Sequence, residues 1–264
     1  MDKKINILGI NIDNISTKEA IEKINTNISK NKTTKIFTPN TTIIVKSSRD
    51  EHLKAMLNSA DISIPDGAGV RIASKILGSP VNDKLAGIEL GEDILYLAEK
   101  NNFKVFLLGG SQEVSKKAEI ELKQKYRNLN ICGANDGYFD VKGIENNAVI
   151  DKINNAKPDI LFVCMGFPRQ EEWIVKNIDK LTSTKVAIGL GGSLDVWSGR
   201  LKRAPSIFRK LLLEWLWRMM LEPKRSGVIF IIPVFLLKVI KQKLFILTKI
   251  SGKNAHIKPF FNKK

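Results

Sequence analysis

Apolar residues along the chain recur in two patterns, one typical of strands and one of helices. Short, nearly uninterrupted apolar runs have the length of buried strands. They lie at residues 35–38, 61–64, 103–108, 129–132, 159–165 and 186–190. Between them, apolar residues recur every three or four positions, as on one face of an amphipathic helix. Strands that alternate with helices in this way predict an α/β fold with a mostly parallel sheet and helices on both faces.

The first 30 residues predict two further elements. Residues 5–12 alternate apolar and polar side chains, which indicates a strand or a tight hairpin. Ser16 and Glu19 have the spacing of a capping box and predict the start of a helix. No apolar leader precedes these elements, so we expect no signal peptide.

Residues 61–71 place a carboxylate where parallel sheets bind their ligands. Pro65 ends an apolar run, and Asp66 and Gly67 follow it ahead of a predicted helix. Because ligands bind beyond the carboxyl ends of parallel strands, Asp66 is a candidate reacting or binding group. The alternative is that Asp66 caps the N-terminus of the helix that follows, which is a common role of aspartate.

Polar or glycine-rich clusters follow five of the predicted strands, and a parallel sheet would bring all five to one edge. The clusters are Thr38 with Asn40, Asp66, residues 109–111, residues 166–170 and residues 191–195. The turn of Gly109 and Gly110 could offer backbone N–H groups and a helix N-terminus to a phosphate, or it could be only a tight connection. Gln170 could hydrogen-bond a sugar or phosphate, or it could cap a helix or lie on the surface.

Several kinds of site are disfavoured by the sequence. Leu194 stands where a dinucleotide fingerprint at residues 189–194 needs its last glycine, which argues against NAD. No Asp-x-Asp pair, which could chelate a divalent ion, occurs in the sequence. Glu119 and Glu121 lie in the middle of a predicted helix and point in different directions, so we interpret them as solvent-exposed surface residues. The chain has only two histidines. We therefore predict no metal site and no cofactor.

The two cysteines, Cys132 and Cys164, lie in apolar runs without metal-ligand spacing. They indicate core residues of a protein in a reducing cytoplasm.

The net charge of +16 is concentrated in the last quarter of the chain. Residues 200–264 hold 16 lysines and arginines and two acids, a balance of +14. This asymmetry points to an anionic partner for the tail, either a membrane or a nucleic acid.

The tail also carries apolar segments. Residues 203–222 include Trp215 and Trp217 beside basic residues, as in a segment at a lipid interface, although an ordinary core-facing helix fits much of this stretch. Residues 227–237 carry no charge, but eleven residues are too few to cross a membrane, and Pro233 is expected to interrupt them. We predict an α/β core at residues 1–200 and a basic, helical, membrane-associating appendage at residues 201–264.

Together these stretches resemble the WecG/TagA/CpsF family of bacterial glycosyltransferases, in order over roughly residues 5–225. The segments that carry the resemblance are residues 38–40, 65–70, 106–110, 137–139, 165–171, 191–195, 203–205, 214–218 and 222–223. The resemblance implies a Rossmann-like fold and a metal-independent, inverting transfer from a UDP-sugar to a lipid-linked acceptor. For one branch, it implies that N-acetylmannosamine is added to N-acetylglucosaminyl-diphospho-undecaprenol on the way to wall teichoic acid.

The resemblance also implies roles for individual residues. Asp66 would be the general base. Thr38 and Gln170 would contact substrate, and Asn40, Tyr138 and Asp195 would line the nucleotide and sugar pocket. Gly109 and Gly110, from the position of their turn rather than from the resemblance, are expected to offer backbone N–H groups to the nucleotide.

Basic residues would contact the phosphates of the substrates. Lys84 stands where the family pattern has arginine. Lysine keeps the positive charge but cannot bind a phosphate through two N–H groups as arginine does. The identity of the donor sugar is therefore left open. In the tail we expect Arg218, Lys224 or Arg225 to reach the acceptor's diphosphate.

The sequence thus predicts an enzyme attached peripherally to the cytoplasmic face of the cell membrane, with no nucleic-acid partner. Whether it forms a homo-oligomer is left open. Two other classes remain as alternatives, namely another nucleotide-dependent α/β enzyme such as an oxidoreductase, and a nucleic-acid-binding protein that uses the basic tail.

Overall fold

The computed structural model describes residues 4–81, 86–210, 213–221 and 227–255. The strands are β1 (Lys4–Ile7), β2 (Ile10–Asp13), β3 (Thr34–Phe37), β4 (Ile62–Ser63), β5 (Val105–Gly109), β6 (Ile131–Asn135), β7 (Ile160–Cys164) and β8 (Val186–Gly189). The helices are α1 (Thr17–Ser29), α2 (Thr41–Ser47), α3 (Glu51–Asn58), α4 (Ala68–Leu77), α5 (Gly87–Asn101), α6 (Gln112–Lys125), α7 (Ile144–Ala156), α8 (Arg169–Asn177), α9 (Ser193–Trp197), α10 (Ser206–Lys210), α11 (Glu214–Leu221) and α12 (Val228–Ala255).

Six strands form one parallel sheet in the order β4-β3-β8-β7-β5-β6. Every residue of the three strands β5, β7 and β8 is buried. Both faces of a parallel sheet are covered, which is why these strands read as unbroken apolar runs rather than as alternating ones. The predicted α/β fold is confirmed.

Helices cover both faces of the sheet and form two separate apolar cores. One core joins the sheet to α2, α3, α4, α7, α8 and α12, and the other joins it to α1, α5, α6 and α9. Successive residues of one strand point to opposite cores, so that Leu161 belongs to the first and Phe162 to the second.

The residues before the sheet form an antiparallel hairpin and a capped helix, as predicted. Strands β1 and β2 are joined by a two-residue turn in which Leu8 and Gly9 both have positive φ angles of 52° and 90°. In the capping box, the Ser16 hydroxyl accepts from the Glu19 N–H (3.1 Å), and the Glu19 carboxylate accepts from the Ser16 N–H (2.8 Å).

Helix α12 runs without interruption through Pro233, so the predicted break at this residue is wrong. The proline removes one helical hydrogen bond, and burial of Phe235 and Val239 in the core beside α2 and α4 offsets the loss. One face of α12 is therefore part of the core. The division of the chain at residue 200 stays a prediction.

Polar contacts fix α12 on the rest of the protein. The Gln242 side chain donates to Asn6 O (2.9 Å) and accepts from the N–H of Leu8 (2.9 Å), both in the β1–β2 hairpin. The Lys243 ammonium donates to Leu77 O (3.0 Å), where α4 ends.

The outer face of α12 is rich in exposed apolar side chains. They include Phe230, Leu237, Leu244, Phe245 and Leu247. Even so, the described helices include none that is both long enough and apolar enough to span a membrane.

Candidate active site

The predicted site residues collect at one edge of the sheet. Because all six strands are parallel, the turns after β3, β4, β5, β7 and β8 lie together at their carboxyl ends. Helices α2, α4 and α8 leave this edge toward one core, and α6 and α9 leave toward the other. A crevice opens where helices diverge to opposite faces, and α/β proteins bind ligands there.

Asp66 lies half-buried just beyond β4. It does not cap α4, because Gly67 holds the N-cap position of that helix with a φ angle of 86°. Instead, the Asp66 carboxylate accepts from the N–H of Gly87 (3.0 Å), the first residue of α5. The Asp66 N–H donates to Pro39 O (3.2 Å). Asp66 thus joins the ends of β3 and β4 to the start of α5, which fixes its carboxylate at the site edge.

Thr38 and Asn40 follow the neighbouring strand β3. The Thr38 hydroxyl is buried and donates to Gly189 O (3.0 Å) at the end of β8. Asn40 caps α2, since its side-chain oxygen accepts from the N–H of Ile43 (3.1 Å). Both side chains therefore stabilise the fold at the site, in addition to any contact with substrate.

The turn of Gly109 and Gly110 depends on the absence of side chains. A Cβ on Gly109 would lie 2.2 Å from Cys164 O, and its φ angle is 141°. The Gly110 N–H donates to Cys164 O (3.2 Å). Since that N–H is used within the protein, the anion-binding capacity of the turn rests on the N-terminus of α6 that follows it.

Tyr138 lies in a loop fastened next to this turn. Its side chain is exposed, and its N–H donates to the Asp136 carboxylate (2.9 Å). The N–H of Gly137 donates to Gly110 O (2.8 Å), and the Arg169 guanidinium donates to Phe139 O (2.6 Å). The loop is thereby fixed on both sides of Tyr138, whose ring is left open to a ligand.

Gln170 joins the turns after β7 and β8. Its side-chain oxygen accepts from the N–H groups of Gly166 (3.2 Å) and Gly191 (2.8 Å), and its amide group donates to the Glu171 carboxylate (2.8 Å). The side chain is only 3% exposed, so Gln170 is neither a plain surface residue nor a helix cap. It fixes the relative position of two glycine turns at the site.

Glu171 is a buried acid for which the sequence analysis predicts no role. It is 1% exposed, and its second carboxylate oxygen has no hydrogen-bond partner. Burial raises the pKa of Glu171 to about 7, against the lowering effect of the bond from Gln170. The acidic residue following Gln170 was visible in the sequence, but its burial was not.

This raised pKa predicts a pH dependence of stability. A carboxyl group that is neutral in the folded state favours folding at low pH, and that contribution is lost as the pH rises from about 4.5, its ordinary pKa, through about 7. Glu171→Gln cannot ionise, so the wild type should lose up to about 3 kcal/mol relative to this variant between about pH 5 and pH 8. Urea unfolding of both proteins at the two pH values measures the difference. Parallel pH dependence in the two proteins would contradict it.

Asp195 occupies α9, after β8, and lies 3.4 Å from the Arg200 guanidinium. Four predicted basic contacts are not settled by the geometry. Lys84, Lys224 and Arg225 lie outside the described residues, and so does the side chain of Arg218, whose backbone belongs to α11. Within the described part of the chain, no group of three or more His, Cys, Asp or Glu side chains is placed to hold a metal ion.

Comparison with known proteins connects this arrangement to a sugar-transfer family. Residues 5–249 match the model of the glycosyl transferase WecG/TagA/CpsF family. The chain is 39% identical over 242 residues to proteins of Staphylococcus aureus strains MRSA252 and NCTC 8325, covering 91% of this chain and 93% of each relative. Both relatives are named N-acetylglucosaminyldiphosphoundecaprenol N-acetyl-beta-D-mannosaminyltransferase.

Proposed function

Since the chain belongs to the WecG/TagA/CpsF family of glycosyltransferases, we propose that it moves N-acetylmannosamine, or a related sugar, from a UDP-sugar to undecaprenyl-diphosphate-linked N-acetylglucosamine. The names of the Staphylococcus aureus relatives support both the sugar and the acceptor. The product would enter the synthesis of wall teichoic acid or a related cell-surface polysaccharide at an early step.

The placement of Asp66 is the observation that carries the proposal. Inverting transfer needs one base that takes the proton of the acceptor hydroxyl as its oxygen bonds to the anomeric carbon and UDP leaves from the opposite face. Asp66 lies at the carboxyl edge of the parallel sheet, where such sheets bind their ligands, and the N–H of Gly87 orients its carboxylate. Thr38 lies next to the start of α5, and Gln170 holds the turns after β7 and β8 at the same edge of the sheet.

The leaving diphosphate needs positive charge or N–H donors. We assign this role to the turn of Gly109 and Gly110 with the α6 N-terminus, and to Lys84. Asn40, Tyr138 and Asp195 are the proposed contacts of the nucleotide and sugar. In the tail, Arg218, Lys224 and Arg225 are the proposed contacts of the acceptor's diphosphate.

The tail would hold the enzyme on the membrane that contains its acceptor. Exposed apolar side chains on α12 alternate with lysines, among them Lys241 and Lys249, and the region carries most of the net positive charge. Apolar and cationic groups on one face bind anionic lipid surfaces. The family match extends to residue 249 and so includes this region, which favours a role within the glycosyltransferase over nucleic-acid binding.

Product analysis tests the proposed reaction directly. The full-length protein is incubated with a synthetic lipid-diphosphate-N-acetylglucosamine and a panel of UDP-sugars, and the disaccharide is identified by mass and by the configuration of the new bond. A β-linked N-acetylmannosamine product made from the α-linked donor is the expected result. Transfer from none of the UDP-sugars would overturn the proposal.

We also expect the reaction to proceed without a divalent metal ion. The sequence has no Asp-x-Asp pair, and helix N-termini and basic side chains can balance the charge of the diphosphate. Activity should therefore remain within about twofold in excess EDTA, since no bound cation contributes to charge stabilisation. Loss of activity in EDTA with recovery on adding Mg²⁺ or Mn²⁺ would reveal a metal site.

A further inference from the structure

Arg203 connects the tail to helix α5. Its guanidinium donates to the carboxylates of Glu89 (2.9 Å) and Glu92 (3.1 Å), which lie three residues apart on one face of α5. The side chains of Arg203, Glu89 and Glu92 are 23%, 38% and 24% exposed, so this two-carboxylate contact is partly shielded from water. An arginine that bonds two carboxylates in a fixed geometry holds two elements together more firmly than a single exposed ion pair does.

The N-terminus of the same helix orients the proposed base. Gly87, two residues before Glu89, donates its N–H to Asp66. A Cβ on Gly87 would lie 3.1 Å from the Thr38 hydroxyl oxygen, so the start of α5 fits closely against Thr38 as well. A helix turn moves as a unit, and a shift of the first turn of α5 would move this N–H donor away from Asp66.

The residues around Arg203 also hold the tail helices. The Trp217 indole N–H in α11 donates to Lys202 O (3.2 Å), and the Arg209 guanidinium in α10 donates to Ala204 O (3.2 Å). Ile88 of α5 lines one small pocket together with Arg203 and Trp217. The segment 202–204 is thus bound on one side to the tail helices and on the other side to α5.

Without Arg203, the acidic side of α5 would lose its main counter-charge. Arg209 is 3.9 Å from Glu89, and Lys125 is 3.3 Å from Glu92. Burial, and then the charges of Glu89 and Glu92, raise the pKa of the neighbouring Asp93. Three acids in two turns repel one another. The two bonds from Arg203 join this part of α5 to the tail, and this link is what fixes the first turn of the helix.

We propose that Arg203 is a positioning residue that couples the seating of α10 and α11 to the orientation of Asp66 through the first turn of α5. The inference rests on the proposed glycosyl transfer, in which Asp66 takes the proton. Seating of the tail helices would place Arg203 on Glu89 and Glu92, and α5 would then present its N–H to Asp66. The enzyme would reach full turnover only when the tail is in place.

Steady-state kinetics with a short-chain, water-soluble acceptor tests the coupling without involving the membrane. Arg203→Ala should lower kcat about 10- to 100-fold, because small misplacements of a reacting group have effects of this size. The KM for the UDP-sugar should stay within about twofold. Arg203→Lys keeps the positive charge but loses the two-pronged guanidinium, so its kcat should fall between those of the wild type and Arg203→Ala. Lys125→Met is the matched control. It removes the positive charge that pairs with Glu92 from outside the tail, and it should keep the wild-type kcat.

A double-mutant cycle supplies the second measurement. Glu89→Gln with Glu92→Gln should reproduce the loss in kcat, and adding Arg203→Ala to this pair should cause little further loss. A kcat for Arg203→Ala within twofold of the wild type would overturn the inference, and so would full additivity in the cycle. An inactive wild type would instead overturn the proposed function.

Discussion

Replacing Asp66 by asparagine is expected to lower turnover by about 10²–10⁴, the usual contribution of a general base. The asparagine oxygen can still accept from the N–H of Gly87, so the contact between β4 and α5 survives. The amide cannot take the proton of the acceptor hydroxyl. Binding of UDP and the midpoint of urea unfolding should both stay near their wild-type values, and comparison of kcat with these two quantities separates catalysis from folding.

Asp50 offers a matched control for this substitution. It is an exposed aspartate that does cap a helix, since it accepts from the N–H of Leu53 (3.0 Å) at the start of α3. Asp50→Asn should keep the wild-type rate, because asparagine caps helices nearly as well as aspartate. If Asp66→Asn also turns over at close to the wild-type rate, Asp66 is not the base.

Disabling the exposed apolar and basic face of α12 is expected to abolish transfer to a long-chain lipid acceptor while sparing UDP binding. A form that ends at Leu201 removes Phe235 and Val239 from the core, so it should self-associate as well as lose membrane binding. A variant that keeps Phe235 and Val239 in the core therefore gives a clearer test. In it, Phe230, Leu237 and Phe245 are replaced by glutamine, and Lys241 and Lys249 are replaced by glutamate.

Co-sedimentation with anionic liposomes measures the effect of this variant. Each lysine near an anionic leaflet contributes about 1 kcal/mol, so reversing two of them should weaken binding by 10²-fold or more at low salt. The apolar part of the binding should resist salt, whereas the electrostatic part should weaken. Lys30→Glu with Lys180→Glu, both exposed and outside the tail, is the charge-matched control. Equal binding by the two variants would rule out the tail as the membrane contact.

Most of the fold was readable from the sequence because each element depends on local chemistry. The runs that became β5, β7 and β8 are apolar throughout, as strands buried on both faces must be. The capping-box spacing of Ser16 and Glu19 predicted the start of α1 directly. Parallel pairing then sufficed to place the polar clusters after the strands at one edge.

What the sequence did not reveal depends on which elements become neighbours. The bond of Asp66 to Gly87 crosses 21 residues, and the bonds of Gln170 require β7 and β8 to be adjacent. Neither follows from periodicity or spacing. The wrong expectation at Pro233 has the same origin, because packing of Phe235 against the core outweighs the local preference of proline.

The bonds of Gln242 to Asn6 and Leu8 have a consequence for how the protein is made. They link positions 236 and 234 residues apart, so the β1–β2 hairpin acquires this partner only after residue 242 has been synthesised. Until Phe235 and Val239 have left the ribosome, the apolar surface of α2 and α4 that they cover stays open to other chains. Such long-range closure is slow compared with local folding. Premature termination before residue 235 should therefore yield aggregation-prone nascent chains, and chaperones that bind apolar surfaces should retain this protein until α12 has docked.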